Sequence, residues 1–350
     1  NAAKKRGIGV YHLNIGQPDI PTPSSFMEGV RHAKVDVLSY SPATGIAETL
    51  DAMREYYAGL GIHLAHDELI VTIGGSEAFC FALQATCNPG DEVLIPEPFY
   101  PNYVGHSIMN GNRVAPITTR IEDGFHLPPM GEIEKLITPR TRAILFSNPS
   151  NPTGVGYTRE EIAGLAELAL KHNLFVISDE PYRELMYEGE ATSIMSFPEL
   201  AENAILVDSI SKRLSACGAR IGCLATRNKD LLAAVNKLCQ IRLSPPTFEQ
   251  LGLVAFLKDP HHKQDIAEIV RKFHARRDTL FDALQSIPGV VCRRPEGAFY
   301  IFVKFPQIDD SEAFAKYLLT DFQLDGETVM VAPGADFYAT PGMGTNEVRL

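Results

Sequence analysis

The sequence predicts an α/β protein: a large lobe with a mostly parallel sheet flanked by helices, and a smaller α+β lobe. Three observations carry this. Short apolar runs rich in β-branched residues alternate with helical patterns as far as about residue 225. Polar residues recur where those runs end, the edge at which open α/β sheets bind ligands. After Pro245-Pro246 the pattern changes to two long helical stretches and short strands, and 350 residues exceed the roughly 250–300 at which one core stops growing. The expected division is 37–257 for the large lobe, with 1–36 and 258–350 forming the small one.

Taken in order, 10–19 is a short extended segment broken by Gly16 and Pro18, and Ser24 or Ser25 starts a helix over about 26–34. Tyr40 opens a loop punctuated by Pro42 and Gly45, followed by helical spacing at Ile46, Leu50, Met53 and Tyr57. The run 70–73 is a strand that ends in Gly74-Gly75-Ser76-Glu77, and a helix over about 78–87 follows at once. Strand, glycines and helix leave free N–H groups where an anion can sit, although an ordinary tight turn has the same composition. It is not a Walker loop, since no Gly-Lys-Ser/Thr follows.

Strand 93–95 ends in Glu97-Pro98-Phe99-Tyr100-Pro101, whose aromatics suit either loop packing or stacking on a flat ligand. A helix over 104–111 and a strand over 113–117 come next. Strand 143–146 delivers the stiff loop Asn148-Pro149-Ser150-Asn151-Pro152-Thr153-Gly154. Thr158 and Glu161 form a capping box for a helix reaching about residue 172. Strand 175–178 then ends in Asp179-Glu180-Pro181-Tyr182. Strand 204–207 leads to Ser209-Ile210-Ser211-Lys212, and 221–225 is the next strand. Beyond the two prolines lie helices over about 247–257 and 260–286, a strand over 295–303, a helix over about 311–321, and strands at 328–331 and 347–350.

Lys212 sits among small hydroxyl residues, with Arg220 eight positions on. Hydroxyls and a guanidinium fork suit a phosphate dianion, and a lysine amine can form an imine with an aldehyde. Phosphate and aldehyde are the two handles of pyridoxal 5'-phosphate (PLP). Alone, the stretch reads equally well as a solvated basic loop.

Composition narrows the classes. A net charge of −11 argues against nucleic acid, which demands a basic face. No run approaches 18 uninterrupted apolar residues, so no membrane span is expected. No Gly-x-Gly-x-x-Gly occurs, so a dinucleotide is not indicated. The six cysteines form no Cys-x-x-Cys pair and lie mostly in apolar contexts, which points to reduced thiols, no metal site and a cytoplasmic location. The sequence opens at Asn1 and stops at Leu350 within an apparent strand, so both natural termini are expected to be missing.

With these pieces in order, the sequence resembles the class I/II aminotransferases, the aspartate-aminotransferase-like fold-type I PLP enzymes, from Gly16 to Arg349. The motifs carrying the resemblance are Ser209-x-Ser211-Lys212 with Arg220, preceded by Asn151-Pro152-Thr153-Gly154 and Asp179-x-x-Tyr182. The resemblance implies the PLP-dependent transferase fold and a set of roles. Lys212 holds PLP, Asp179 pairs with the pyridine nitrogen, and Tyr182 and Asn151 bond the phenolic oxygen. Ser209, Ser211, Arg220 and the Gly75-Ser76-Glu77 turn hold the phosphate, and Tyr100 stacks on the ring. Tyr40 reaches the neighbouring subunit's site, which implies a homodimer, while Gly16, Asn151 and Arg349 contact the substrate carboxylate. Leu214 departs from the family pattern, which often has an aromatic there.

The expected activity is amino-group transfer between an L-amino acid, aspartate-like by resemblance, and a 2-oxo acid. A C–S β-lyase or an aminocyclopropane-carboxylate-synthase-like enzyme shares almost every motif. A ligand-sensing regulator on the same fold is the reading of another class, disfavoured by the intact Lys212, Asp179 and Arg349 set. An aspartate-specific enzyme needs a second cation for the distal carboxylate, for which Arg6, Arg31 and Arg242 are the candidates.

Overall fold

The computed structural model describes residues 2–350. Its centre is a seven-stranded sheet in the order Leu69–Thr72, Gly222–Ala225, Ala204–Ser209, Phe175–Asp179, Thr141–Ser147, Glu92–Glu97, Arg113–Thr118. All neighbours run parallel except Gly222–Ala225, which is antiparallel to both of its partners. The central strands are buried on both faces, as their unbroken apolar runs require. Leu94, Ile144, Phe146, Val176 and Leu206 fill one side. Val93, Ile95, Leu145, Ile177, Ile205 and Val207 fill the other.

Register decides which strand ends meet. Ser147 lies opposite Asp179 and Asp179 opposite Val207, so three loops leave the sheet at one level. At the far side Thr72 and Ser209 both pair with Gly222, which carries the turn at residue 74 to the loop holding Lys212. A Cβ on Gly222 would come within 2.5 Å of the Gly74 carbonyl carbon and 2.6 Å of the Asp208 oxygen, so only glycine permits this approach.

The helix expected over 78–87 is Gly74–Thr86 and begins four residues earlier. Gly74 turns directly from strand to helix because its φ of +74° is open to glycine. A further helix, Lys229–Arg242, went unread in the sequence: Asn228 caps it by accepting the Leu231 N–H at 3.0 Å, and Leu231, Leu232, Val235 and Cys239 bury one face. The strand expected over 295–303 is only Phe302–Lys304. Its first half is an irregular turn with Ala298 at φ +56°, held by Gly297 N–H to Gly154 O and Ala298 N–H to Leu185 O. Long-range backbone bonds there override the local strand preference.

A second sheet, antiparallel, orders Ala332–Pro333, Glu347–Arg349, Phe302–Lys304 and Val291–Cys292. Leu284, Ala315 and Leu318 from helices His262–Gln285 and Ser311–Thr320 pack with Val303 and Val348 beneath it. Gly9–His12 pairs in parallel with Glu327–Met330, bringing the chain's start back to its last quarter. Helix Ser24–Arg31 packs on Thr247–Lys258, where Gly29 and Gly252 let the two backbones approach. No helix of the described residues is long and apolar enough to cross a membrane.

Candidate functional site

The loops that leave the carboxyl ends of the sheet enclose a cavity of about 410 Å³, within the range of small-molecule sites. Gly16, Gly75, Ser76, Tyr100, Asn151, Asp179, Tyr182, Ser209, Ser211, Lys212, Arg220 and Arg349 all line it. Two sequence candidates lie elsewhere. The Glu77 carboxylate turns back to accept the Ile73 N–H at 2.8 Å and lies 3.7 Å from Arg242, so its side chain caps the helix and does not line the cavity. Tyr40 is 78 % exposed and does not line its own chain's cavity.

At one end the cavity is built for an anion. The first turn of helix Gly74–Thr86 opens here with free N–H groups. The Ser209 and Ser211 hydroxyls are 2.7 Å apart. Arg220 donates to Cys217 O at 3.0 Å and holds its guanidinium against Gly74, where any Cβ would collide with it. Its backbone is left-handed (φ +54°), a conformation costing a non-glycine residue about 1–2 kcal/mol.

In the middle stands Lys212, whose Nζ donates to Gly16 O at 2.6 Å and lies 3.9 Å from Cys217 Sγ. Burial lowers its pKa, and the Arg349 and Arg220 cations lower it further against the opposing pull of Cys217 and Asp179. A depressed amine is the form able to attack a carbonyl carbon and to carry a proton. Asp179 faces it from the neighbouring strand end. Burial pushes that carboxyl up to about 7, with Asp208 and Glu180 adding to the rise, while the Tyr103 hydroxyl, donating at 2.5 Å, and the Lys212 cation hold it down. Such a carboxylate lacks a cation and is ready to take one.

Arg349 closes the third side. It donates to Asn151 Oδ1 at 3.0 Å and to Asn14 O at 2.7 Å, and lies over the Tyr300 ring at 4.5 Å and the Phe337 ring at 4.9 Å. Its Nε is buried with no partner, a donor held in reserve. The Tyr182 and Tyr300 hydroxyls are 2.9 Å apart. Burial raises both phenols, Tyr300 to about 12. Tyr103, Tyr300, His106 and Cys217 line the cavity and were missed in the sequence. Tyr103 lies three residues past Tyr100 on the helical turn that begins at Asn102, a spacing that was available as a signal. The other cations considered lie outside: Arg6 donates to Leu319 O, Arg31 pairs with Glu28, and Arg242 donates to Ala43 O.

The family model for aminotransferase class I and II matches residues 8–349. This chain belongs to the class I and II aminotransferases. It is 32 % identical over 339 residues to the aspartate/prephenate aminotransferase of Thermus thermophilus, covering 96 % of this chain and 86 % of the relative. Aromatic-amino-acid aminotransferase 2 of Thermococcus litoralis is 31 % identical over 336 residues, with 94 % and 84 % covered. Among solved structures, aspartate aminotransferase from Thermus thermophilus with maleate superposes with a TM-score of 0.89 at 31 % identity, covering 99 % of this chain and 88 % of the other. The chain is therefore a PLP-dependent transferase with the transferase fold that its sequence predicts. The residues present fit that cofactor. An anion cradle, an amine, a carboxylate with no salt bridge and a tyrosine ring line one cavity, and each would suit a different part of a phosphorylated pyridine aldehyde.

Proposed function

We propose that this aminotransferase moves the amino group of an aspartate-like L-amino acid to a 2-oxo acid, with the roles set out below. The single observation that carries the reading is the meeting of Lys212, Asp179, Arg220 and Arg349 in one cavity, although they come from four separate stretches of chain.

Bound in this cavity, PLP supplies an electron sink for the pair left at Cα when its proton departs. Lys212 would anchor the cofactor and, once the substrate amine takes its place, its freed amine would be the base that holds and moves the Cα proton. Asp179 would pair with a protonated pyridine nitrogen, and the Tyr103 hydroxyl holds its carboxylate in place. Asn151 and Tyr182 would bond the phenolic oxygen, and Tyr100 would stack on the ring. The Gly75-Ser76 turn, Ser209, Ser211 and Arg220 bind the phosphate. Arg349 takes the substrate α-carboxylate as a two-pronged partner, with Asn151 and the Gly16 backbone beside it, and so fixes which Cα bond stands over the ring.

The aspartate-like preference draws support from the relatives named for aspartate and from a neighbour solved with maleate, a dicarboxylate. We also read the chain as a cytoplasmic homodimer with Tyr40 completing the partner's phosphate site. Tyr40, Val37 and Leu38 are an exposed apolar stretch that such an interface would cover, and all six cysteines are unpaired.

Borohydride reduction of the loaded enzyme followed by peptide mass mapping tests the anchor: the pyridoxyl group belongs on Lys212, and a label elsewhere overturns the assignment. A panel of donors with 2-oxoglutarate tests the class. Amino-acid-dependent release of ammonia and pyruvate without any 2-oxo acid would replace transfer with lyase chemistry. Mixed dimers of Tyr40→Phe and Lys212→Ala subunits should regain activity if the sites are shared.

A further inference from the structure

Behind the cavity wall lies a buried charged cluster for which the roles above have no use. Asp208, fully buried (0 % exposed), precedes Ser209 on strand Ala204–Ser209 and points to the opposite face of the sheet. Its carboxylate accepts the Ser209 N–H at 2.6 Å, the Tyr57 hydroxyl at 2.6 Å, and Arg213 Nη1 at 2.9 and 2.8 Å. Arg213 is buried as well, with Nε 3.4 Å from Glu184 and its guanidinium 4.8 Å from the Tyr56 ring centroid. Glu184 follows Tyr182 by two residues, so one guanidinium joins the loop after Asp179 to the turn that carries Lys212.

We propose that Asp208 and Arg213 are positioning residues that aim Lys212 into the cavity and hold it in register with the Asp179–Tyr182 loop. The proposal rests on Lys212 being the anchoring amine. The helical turn Ile210–Arg213 is four residues long, far too short to be stable by itself, so its orientation is imposed from outside. Successive residues of a helix point about 100° apart, so pinning Arg213 inside the protein fixes the direction in which Lys212 leaves the turn. The Ser209 side chain caps the same turn from the front, accepting the Ser211 N–H at 3.2 Å. Asp208 and Arg213 clamp it from the back. A lysine at 213 keeps the charge but loses the planar fork that serves Asp208 and Glu184 together. The Asp208 charge also reaches Asp179 and raises its proton affinity, behind burial and against the Tyr103 bond. The cluster thus touches both members of the Lys212–Asp179 pair.

The test uses PLP-loaded Arg213→Lys, with Tyr57→Phe as a milder variant that deletes one contact to Asp208 and no charge. Each is measured for kcat, for donor KM, for borohydride labelling of Lys212, and for the pH midpoint of the cofactor's visible absorption. A displacement of about 1 Å in a catalytic group costs up to about 100-fold, so Arg213→Lys should lose about 10- to 100-fold in kcat with KM within about threefold. Lys212 should still take the label, and the absorption midpoint should move by at least about half a pH unit. Tyr57→Phe should shift the same quantities less, in the same direction. Wild-type kcat and midpoint in Arg213→Lys overturn the proposal. So does an activity loss that only tracks the loss of folded protein while the midpoint stays fixed. A wild-type enzyme that takes no label on Lys212 overturns the assignment of the anchor instead.

Discussion

Asp179→Asn should stabilise the cofactor-free protein while destroying its activity. In the cofactor-free protein the Asp179 carboxyl rises from 3.8 to about 7, with burial as the largest cause. A carboxyl that is raised in the folded state costs nothing below pH 3.8, where both states are protonated. Between 3.8 and about 7 only the unfolded chain ionises, so the native state loses ground steadily, and above about 7 the cost is constant. At about 1.4 kcal/mol per pH unit the full cost is about 4 kcal/mol. Asp179 lines the cavity and is only partly buried, which screens its charge, so about 2–4 kcal/mol is the range to expect. Asparagine has no charge to bury and keeps an oxygen for the Tyr103 hydroxyl. Urea unfolding of cofactor-free protein at pH 4, 6 and 8 should therefore show an Asp179→Asn advantage that grows with pH and levels off, with similar m-values. The loaded variant should lose activity by about 10²- to 10³-fold, because a buried cation left unpaired costs about 3–5 kcal/mol. A stability difference that stays flat from pH 4 to 8 would refute the account of Asp179 as a carboxylate waiting for its cation.

Arg349→Lys should lower kcat/KM for every amino-acid donor by about 30- to 1000-fold, since a single ammonium replaces a fork stacked between two rings; steady-state kinetics across three donors checks this. Gly74→Ala should weaken cofactor binding and cost about 1–2 kcal/mol of stability, because a Cβ at φ +74° is strained and collides with Arg220; cofactor titration followed by fluorescence measures it. His126 lies between Glu161 (3.0 Å) and Glu296 (3.6 Å), and these raise it from 6.5 to about 10. Its contribution to stability is whole below pH 6.5 and fades as the pH rises through about 10, so the margin of wild type over His126→Gln in thermal melts should shrink between pH 7 and 10.

Much of the large sheet was legible because its strands are buried on both faces and therefore spell unbroken apolar stretches, Ala204-Ile205-Leu206-Val207 and Ala143-Ile144-Leu145-Phe146. The capping box at Thr158 and Glu161 was legible for a similar reason, since both hydrogen bonds lie within four residues. The helix Lys229–Arg242 carries a weaker signal, in Asn228 and the spacing of its leucines, between the strand at 221–225 and Pro245-Pro246. The irregular turn at Glu296–Ala298 was not legible, because its partners, Gly154 and Leu185, lie more than 100 residues away.

The sequence by itself determined the alternation of strands and helices and the polar residues at the strand ends, because periodicity, punctuation and caps act over a few residues. Its resemblance to the class I and II aminotransferases also named Lys212, Asp179 and Arg220 through motifs in order along the chain, and Arg349 by its matching position. Strand order and register decided the rest. Thr72 and Ser209 meet only because both pair with Gly222, and Asp179 faces Lys212 only because strand 175–179 lies beside 204–209. The hydrogen bond from Tyr103 to Asp179, the Tyr182–Tyr300 pair and the Asp208–Arg213–Tyr57 cluster depend on that arrangement. Contacts between residues far apart in the chain have no local pattern to announce them, so the tertiary structure alone brought them to the site.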